Sequence, residues 1–213
     1  MQIALLLFDG MTALDAIGPI QVLSALPGAT VRTVASTPGP KRSDAGVPLV
    51  AEHALPEVPR PDIVLVPGGM NVQAVMTDRR VLEWLKAAHA TTTWTTSVCT
   101  GALVLGAAGL LHGRRATTHW AALESLRAFG AEPVTERMVR DGKVVTSAGV
   151  SAGIDMALRL AALVAGESVA QTIQLVIEYD PDPPYRAGSP ATAPLEALER
   201  AQRVLVRGAA PSA

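Results

Sequence analysis

The 213-residue chain is 49% hydrophobic and 17% charged, enough for one sizeable α/β domain and too short for two comfortable ones. Its formal net charge of −1, with no basic run, argues against a nucleic-acid surface. The single cysteine cannot close an internal disulfide, and the sequence carries neither a positively charged leader nor an unbroken apolar run of about 18 residues, so a cytoplasmic protein that does not span a membrane is predicted.

Ile3–Phe8 is a continuous apolar run, the pattern of a central parallel strand covered on both faces. Asp9-Gly10 makes the turn, which gives Asp9 a structural role. Thr12 or Asp15 then opens a helix carrying Leu14, Ile17, Ile20, Val22, Leu23 and Leu26 on its apolar positions. Pro19 lies inside it and leaves the Asp15 carbonyl without a helical partner, so an irregular backbone or a first turn is expected there. Thr30–Ala35 reads as a second strand, Pro38-Gly39-Pro40 as a loop, and Val47–Ala51 as a short hairpin strand. Ile63–Val66 is the next buried strand and runs directly into Pro67-Gly68-Gly69. Val72–Met76 and Val81–His89 have helical patterns.

Thr92–Val98 is rich in β-branched residues and leads through Cys99 and Thr100 to Gly101 and an Ala/Leu-rich helical run, Ala102–Ala108. A strand turning sharply into a helix, with a nucleophile at the turn and glycine two places on, has the pattern of a nucleophile elbow. A Cβ at position 101 would crowd strand against helix, and the helix N-terminus would favour a thiolate at Cys99. Further on, Ala116–Trp120 is extended and Ala121–Phe129 helical, ending at Gly130. Asp141-Gly142 joins the two arms of a hairpin, Pro133–Val139 and Lys143–Ser147. Ala148–Ala165 and Val169–Tyr179 are helices, and Asp180–Ala193 is proline-rich and irregular. Leu195–Val206 is an amphipathic helix, and the tail from Arg207 is expected to be disordered.

Strands alternating with helices predict a three-layer α/β sandwich with a mostly parallel central sheet, residues 1–194 forming one domain and 195–213 a C-terminal helix and tail. The Gly68-Gly69 turn, the Cys99 elbow and the loop holding Asp15 then share the carboxyl edge of the sheet, where open α/β sheets bind ligands. A carboxylate among apolar neighbours and beside a thiol is expected to be protonated at neutral pH, which makes Asp15 a candidate acid; helix capping is the alternative. Gly69 is either a simple turn or a place where backbone N–H groups approach developing negative charge, and Thr100 offers an N–H and a hydroxyl beside the sulfur. Trp94 and Trp120 read as core or pocket-wall residues, and Asp155 as the partner of a nearby arginine. His53, His89, His112 and His119 lack metal-ligand spacing with Cys99, so no metal is expected.

The strings LDAIGP (14–19), VPGG (66–69), SVCTGALVLGAAGLL (97–111), GRRATTHW (113–120) and TSAGVSAGIDMALRLAA (146–162) resemble the ThiJ/PfpI superfamily, whose fold is class I glutamine amidotransferase-like, a flavodoxin-like arrangement. EYDPDPPYRAGSP (178–190) is similar to the isonitrile hydratase subgroup, which hydrates isonitriles to N-substituted formamides. The resemblance implies Cys99 as nucleophile, Asp15 as acid and then base, and Thr100 beside the sulfur. It also implies a small isonitrile substrate, no cofactor and a homodimer. Gly68, Gly69, Met70, His119, Trp120 and Val150 are the candidate substrate-binding residues. Many relatives have histidine after the cysteine and glutamate as the acidic neighbour; here these are Thr100 and Asp15, a pattern shared with isonitrile hydratases and with sensor domains of AraC-type regulators. Rival readings are another cysteine enzyme of the superfamily (glyoxalase, deglycase or amidohydrolase), a non-catalytic sensor domain, and a redox-responsive or chaperone-like protein. AraC-type regulators carry a C-terminal helix-turn-helix domain; this chain ends at Ala213 and is not basic, so direct DNA binding is disfavoured for the sensor reading.

Overall fold

The structure is a computed structural model that describes residues 1–208, with side chains to residue 205. The expected tail therefore lies, beyond Gly208, outside the described residues. The chain begins with β1 (Gln2–Leu6), α1 (Ala13–Leu23), β2 (Thr30–Ala35), β3 (Gly39–Arg42), β4 (Pro48–Ala51) and β5 (His53–Ala54). There follow β6 (Ile63–Val66), α2 (Val72–Thr77), α3 (Arg79–Thr91), β7 (Trp94–Val98), α4 (Gly101–Ala107), β8 (Arg115–Ala116) and β9 (Glu132–Pro133). The last elements are β10 (Met138–Asp141), β11 (Val144–Ser147), α5 (Ala152–Ala165), α6 (Glu167–Val176) and α7 (Leu195–Gly208).

A seven-stranded sheet in the order β10-β11-β7-β6-β1-β2-β5 forms the centre. Every pairing in it is parallel except β10 with β11. Every residue of β6 and β7 is buried, as strands covered on both faces require. Of the hydroxyls this places in the interior, Thr96 Oγ1 donates to the Val64 carbonyl (2.8 Å), while Ser97 Oγ is buried without a partner among the described residues; on neighbouring β11, Ser147 Oγ donates to the Ser97 carbonyl (3.1 Å). From β1 the chain moves to β2 on one side of it and returns to β6 on the other. That reversal opens a crevice at the carboxyl ends of β1 and β6.

Three local expectations change. Gly39–Arg42 is not a loop: it pairs antiparallel with β4, Gly39 opposite Ala51. Pro40 is tolerated because the ribbon has only two strands and needs no second row of N–H donors. Residues 120–129 wind as 3₁₀ turns instead of an α-helix, closed by Gly130 at φ 71°. Finally, α1 is rotated from its apolar reading. Leu14 and Ile17 are 43% and 44% exposed, while Asp15, Gly18 and Pro19 face inward. Two glycines allow this close approach to α5. A Cβ on Gly18 would lie 3.0 Å from Ile154 Cγ1, and one on Gly153 would lie 2.9 Å from Pro19 Cγ.

Candidate active site

Cys99 follows β7 directly, with Thr100 between it and α4, and its backbone sits at φ 55°, the left-handed region that non-glycine residues rarely occupy. The surroundings hold it there. Its N–H donates to the carbonyls of Ser147 (3.1 Å) and Ala148 (3.0 Å), and its own carbonyl accepts from Thr118 Oγ1 (2.7 Å). Gly101 is required, but the crowding comes from the neighbouring strand: a Cβ there would fall 2.2 Å from the Val66 carbonyl oxygen and 2.8 Å from that of Pro67. A Cβ on Gly68 would likewise fall 2.5 Å from Thr100 N and 2.9 Å from Cys99 Cβ. Two glycines therefore let the end of β6 close over the elbow.

Asp15 is fully buried in the first turn of α1, not in a loop. Oδ2 accepts the Gly68 N–H at 2.9 Å, while Oδ1 is buried without a partner among the described residues. α1 thus brings its acid, from after β1, across the crevice to the turn after β6. Burial pushes the carboxyl up to about 7; the Gly68 N–H and the Cys99 thiol pull the other way, and Asp44 adds a small upward push. The expectation of a raised carboxyl holds.

The expected thiolate does not. Cys99 is 6% exposed, and burial, with the Asp15 charge beside it, pushes the thiol up to about 12. The N–H groups of Val150 and Thr100 and the Thr100 hydroxyl favour the ionised sulfur, but they do not offset desolvation. The resting proton is therefore on sulfur.

Thr100 and the glycines also change roles. The Gly69 N–H is not free to meet negative charge: it donates to Thr100 Oγ1 (2.9 Å), which itself reaches the Gly69 carbonyl (3.2 Å). The Gly68 N–H is committed to Asp15. The backbone groups that favour negative charge on the sulfur are the N–H groups of Thr100 and Val150.

A cleft of about 690 Å³ lies against this centre, its walls including Thr118, His119, Trp120, Val150 and the segment Gly188–Ala191. Neither Cys99 nor Asp15 lines this cleft; the link between cleft and sulfur is that Thr118, in its inner wall, donates to the Cys99 carbonyl, and that the N–H of Val150, in the same wall, favours the ionised sulfur. His119, Trp120 and Val150 are thus where expected. Met70 is not: it is 41% exposed and lies outside the cleft wall. His119 Nδ1 accepts the Ala121 N–H (3.3 Å), which places the proton of the neutral ring on Nε2, and burial lowers its pKa. The wall contributed by Gly188–Ala191 is not among the residues expected to bind substrate, although Gly188–Pro190 closes the string 178–190 that carries the subgroup resemblance. Asp155 does pair with Arg137, and it also accepts from Tyr179 Oη (2.9 Å), tying the start of that segment to α5.

A parallel sheet with a thiol on a strained elbow and a buried carboxyl across the crevice defines a cysteine-centred protein of the flavodoxin-like α/β class. The chain belongs to the DJ-1/PfpI family, whose model matches residues 1–163. It is 44% identical over 203 residues to an isonitrile hydratase of Pseudomonas putida, covering 95% of this chain and 89% of that protein. It is 30% identical to the transcriptional regulator CdhR of Pseudomonas aeruginosa, covering 76% of this chain but only 49% of the regulator. Among solved structures, a ThiJ/PfpI family protein from Pseudomonas syringae superposes with a TM-score of 0.94 at 38% identity, covering 98% of this chain and 87% of that one. No helix among the described residues is long and apolar enough to cross a membrane.

Proposed function

We propose that the protein is an isonitrile hydratase, adding water to R–N≡C to give R–NH–CHO. The observation that carries this is the buried pair of one thiol and one carboxyl with pKa values of about 12 and about 7, supported by the near full-length similarity to the Pseudomonas putida enzyme. Between those values the pair holds a single proton, which rests on sulfur and has the Asp15 carboxylate beside it as acceptor. An isonitrile carbon has a lone pair and becomes electrophilic once protonated. Asp15 takes the S–H proton and delivers it to that carbon, and the sulfur bonds to the same carbon, giving the thioimidate R–N=CH–S–Cys99. Asp15, again a carboxylate, takes a proton from water as its oxygen adds to the carbon, and passes that proton to nitrogen. The C–S bond then breaks, the hydroxyl becomes the formyl C=O, and its proton returns to sulfur. The N–H groups of Thr100 and Val150 stabilise negative charge on sulfur in both transfers.

No cofactor enters this scheme. The same reading makes the protein a cytoplasmic homodimer that binds no nucleic acid. Sedimentation at micromolar concentration tests the dimer. Incubation with alkyl and aryl isonitriles and detection of formamide tests the activity, with methylglyoxal as the comparison substrate. Cys99→Ala is expected to abolish formamide production; formation at the parent rate would overturn the mechanism.

A further inference from the structure

The cleft is far larger than an N≡C group needs, and its charges are already matched. Glu136 in the wall is paired with Arg115 at 2.8 Å. Arg137 is paired with Asp155. His119 is held towards its neutral form by burial. No ionised group on this wall is left to receive a charged substituent, and burying one unpaired would be costly. What remains is uncharged: the hydroxyls of Thr117, Thr118, Thr135, Ser151 and Ser189, and an apolar stretch made by the Trp120 ring, tilted against His119 with centroids 5.4 Å apart, with Leu123, Val150 and Pro190. A volume of about 690 Å³ is in the range that encloses a ligand of drug-like size.

We infer that the substrates are isonitriles with a bulky, uncharged, apolar N-substituent of at least two rings or equivalent size, and that Trp120 selects for it. This rests on the proposed hydration activity and adds the substrate class. The substituent lies along the Trp120 wall while the isonitrile carbon reaches inward past Val150 to the sulfur. Methyl isonitrile leaves the wall unfilled, and a carboxylated aryl group meets no free cation.

The test compares kcat/KM for methyl, 2-naphthyl and 4-carboxyphenyl isonitrile, and in parallel the binding of the three corresponding formamides by calorimetry. The naphthyl compound is expected to exceed the other two by about thirtyfold or more, in turnover and in binding. Trp120→Ala is expected to reduce the naphthyl-to-methyl ratio at least about tenfold, and Trp120→Phe to restore most of it. Equal ratios across the series, preference for the carboxylate, or a ratio unmoved by Trp120→Ala would overturn the inference. Binding separates the two proposals: ordered formamide binding without turnover of any isonitrile would overturn the hydration activity and leave the assigned pocket standing.

Discussion

At the scale of single residues, the pair Asp15–Cys99 sets both reactivity and pH dependence. The Asp15 carboxyl sits near 7 when folded, against 3.8 when free in solution. Between these values the native state binds more protons than the unfolded chain, so stability falls as pH rises from about 4 to about 7 and then levels. This is opposite in sign to a salt-bridged carboxylate. Asp15→Asn keeps an acceptor for the Gly68 N–H and removes the buried charge. The variant should therefore match the parent near pH 4 and exceed it at pH 8 by about 4 kcal/mol, read from urea midpoints. A midpoint difference that ignores pH would show that the carboxyl is not buried as described. The same pair gives kcat/KM that rises with one proton's slope to a midpoint near 7 and then holds a plateau into the alkaline range. A thiol near 12 instead of 9 has a thousandth of the thiolate at neutral pH, roughly, partly recovered by its greater nucleophilicity. Iodoacetamide at pH 7.5 should therefore alkylate Cys99 at least about thirtyfold more slowly than a free thiol, and faster labelling, followed by mass spectrometry, would contradict the protonated resting state. It would also give support to the redox-responsive reading, which needs a ready thiolate.

At the scale of elements, the sequence was most informative where chain and structure share a period. The unbroken runs Ile3–Phe8 and Ile63–Val66 located β1 and β6, and Gly142 located the β10–β11 hairpin. The elbow was legible because β7, Cys99, Gly101 and α4 follow one another directly. What was not legible depends on neighbours distant in sequence. Apolar spacing in α1 pointed to Leu14 and Ile17 as inward, but Gly18 and Gly153 let the backbones of α1 and α5 approach and turn Asp15 inside. The protonation of Cys99 is hidden for a similar reason: a helix end is visible in sequence, whereas its burial under the ends of β6 and β11 is not. The same close approach yields a prediction. Gly101→Ala places a Cβ 2.2 Å from the Val66 carbonyl oxygen, an atom fixed in the sheet. It should destabilise the chain by about 3 kcal/mol or more and displace the elbow, measured by thermal unfolding and loss of formamide formation. Gly109→Ala, a positive-φ glycine with open space around its Cβ position, provides the control and should cost only about 1 kcal/mol.

At the scale of the whole molecule, the open question is how much chain the site requires. Its centre is assembled by β1, β6, β7 and β11 with the loops at their carboxyl ends, and its cleft is completed by Gly188–Ala191. α7 follows that wall, and none of its described side chains lines it. Leu195 is 71% and Val204 68% exposed, and Leu198, Ala201 and Leu205 are only half-buried. An amphipathic helix whose apolar side is so lightly covered gains little from packing and forms chiefly on its own propensity and its i,i+4 pairs, such as Arg200 with Glu196. A chain ending at residue 194 should therefore fold with a Tm within about 3 °C of the parent and form formamide at a comparable rate. Ending it at residue 179 removes the Gly188–Ala191 wall while leaving the Tyr179–Asp155 bond, and should lower kcat/KM for bulky isonitriles more than for methyl isonitrile. If the longer truncation folds with its substrate preference unchanged, the C-terminal segment is not part of the binding site. If the shorter one fails to fold, α7 belongs to the domain and the boundary at 194 is wrong.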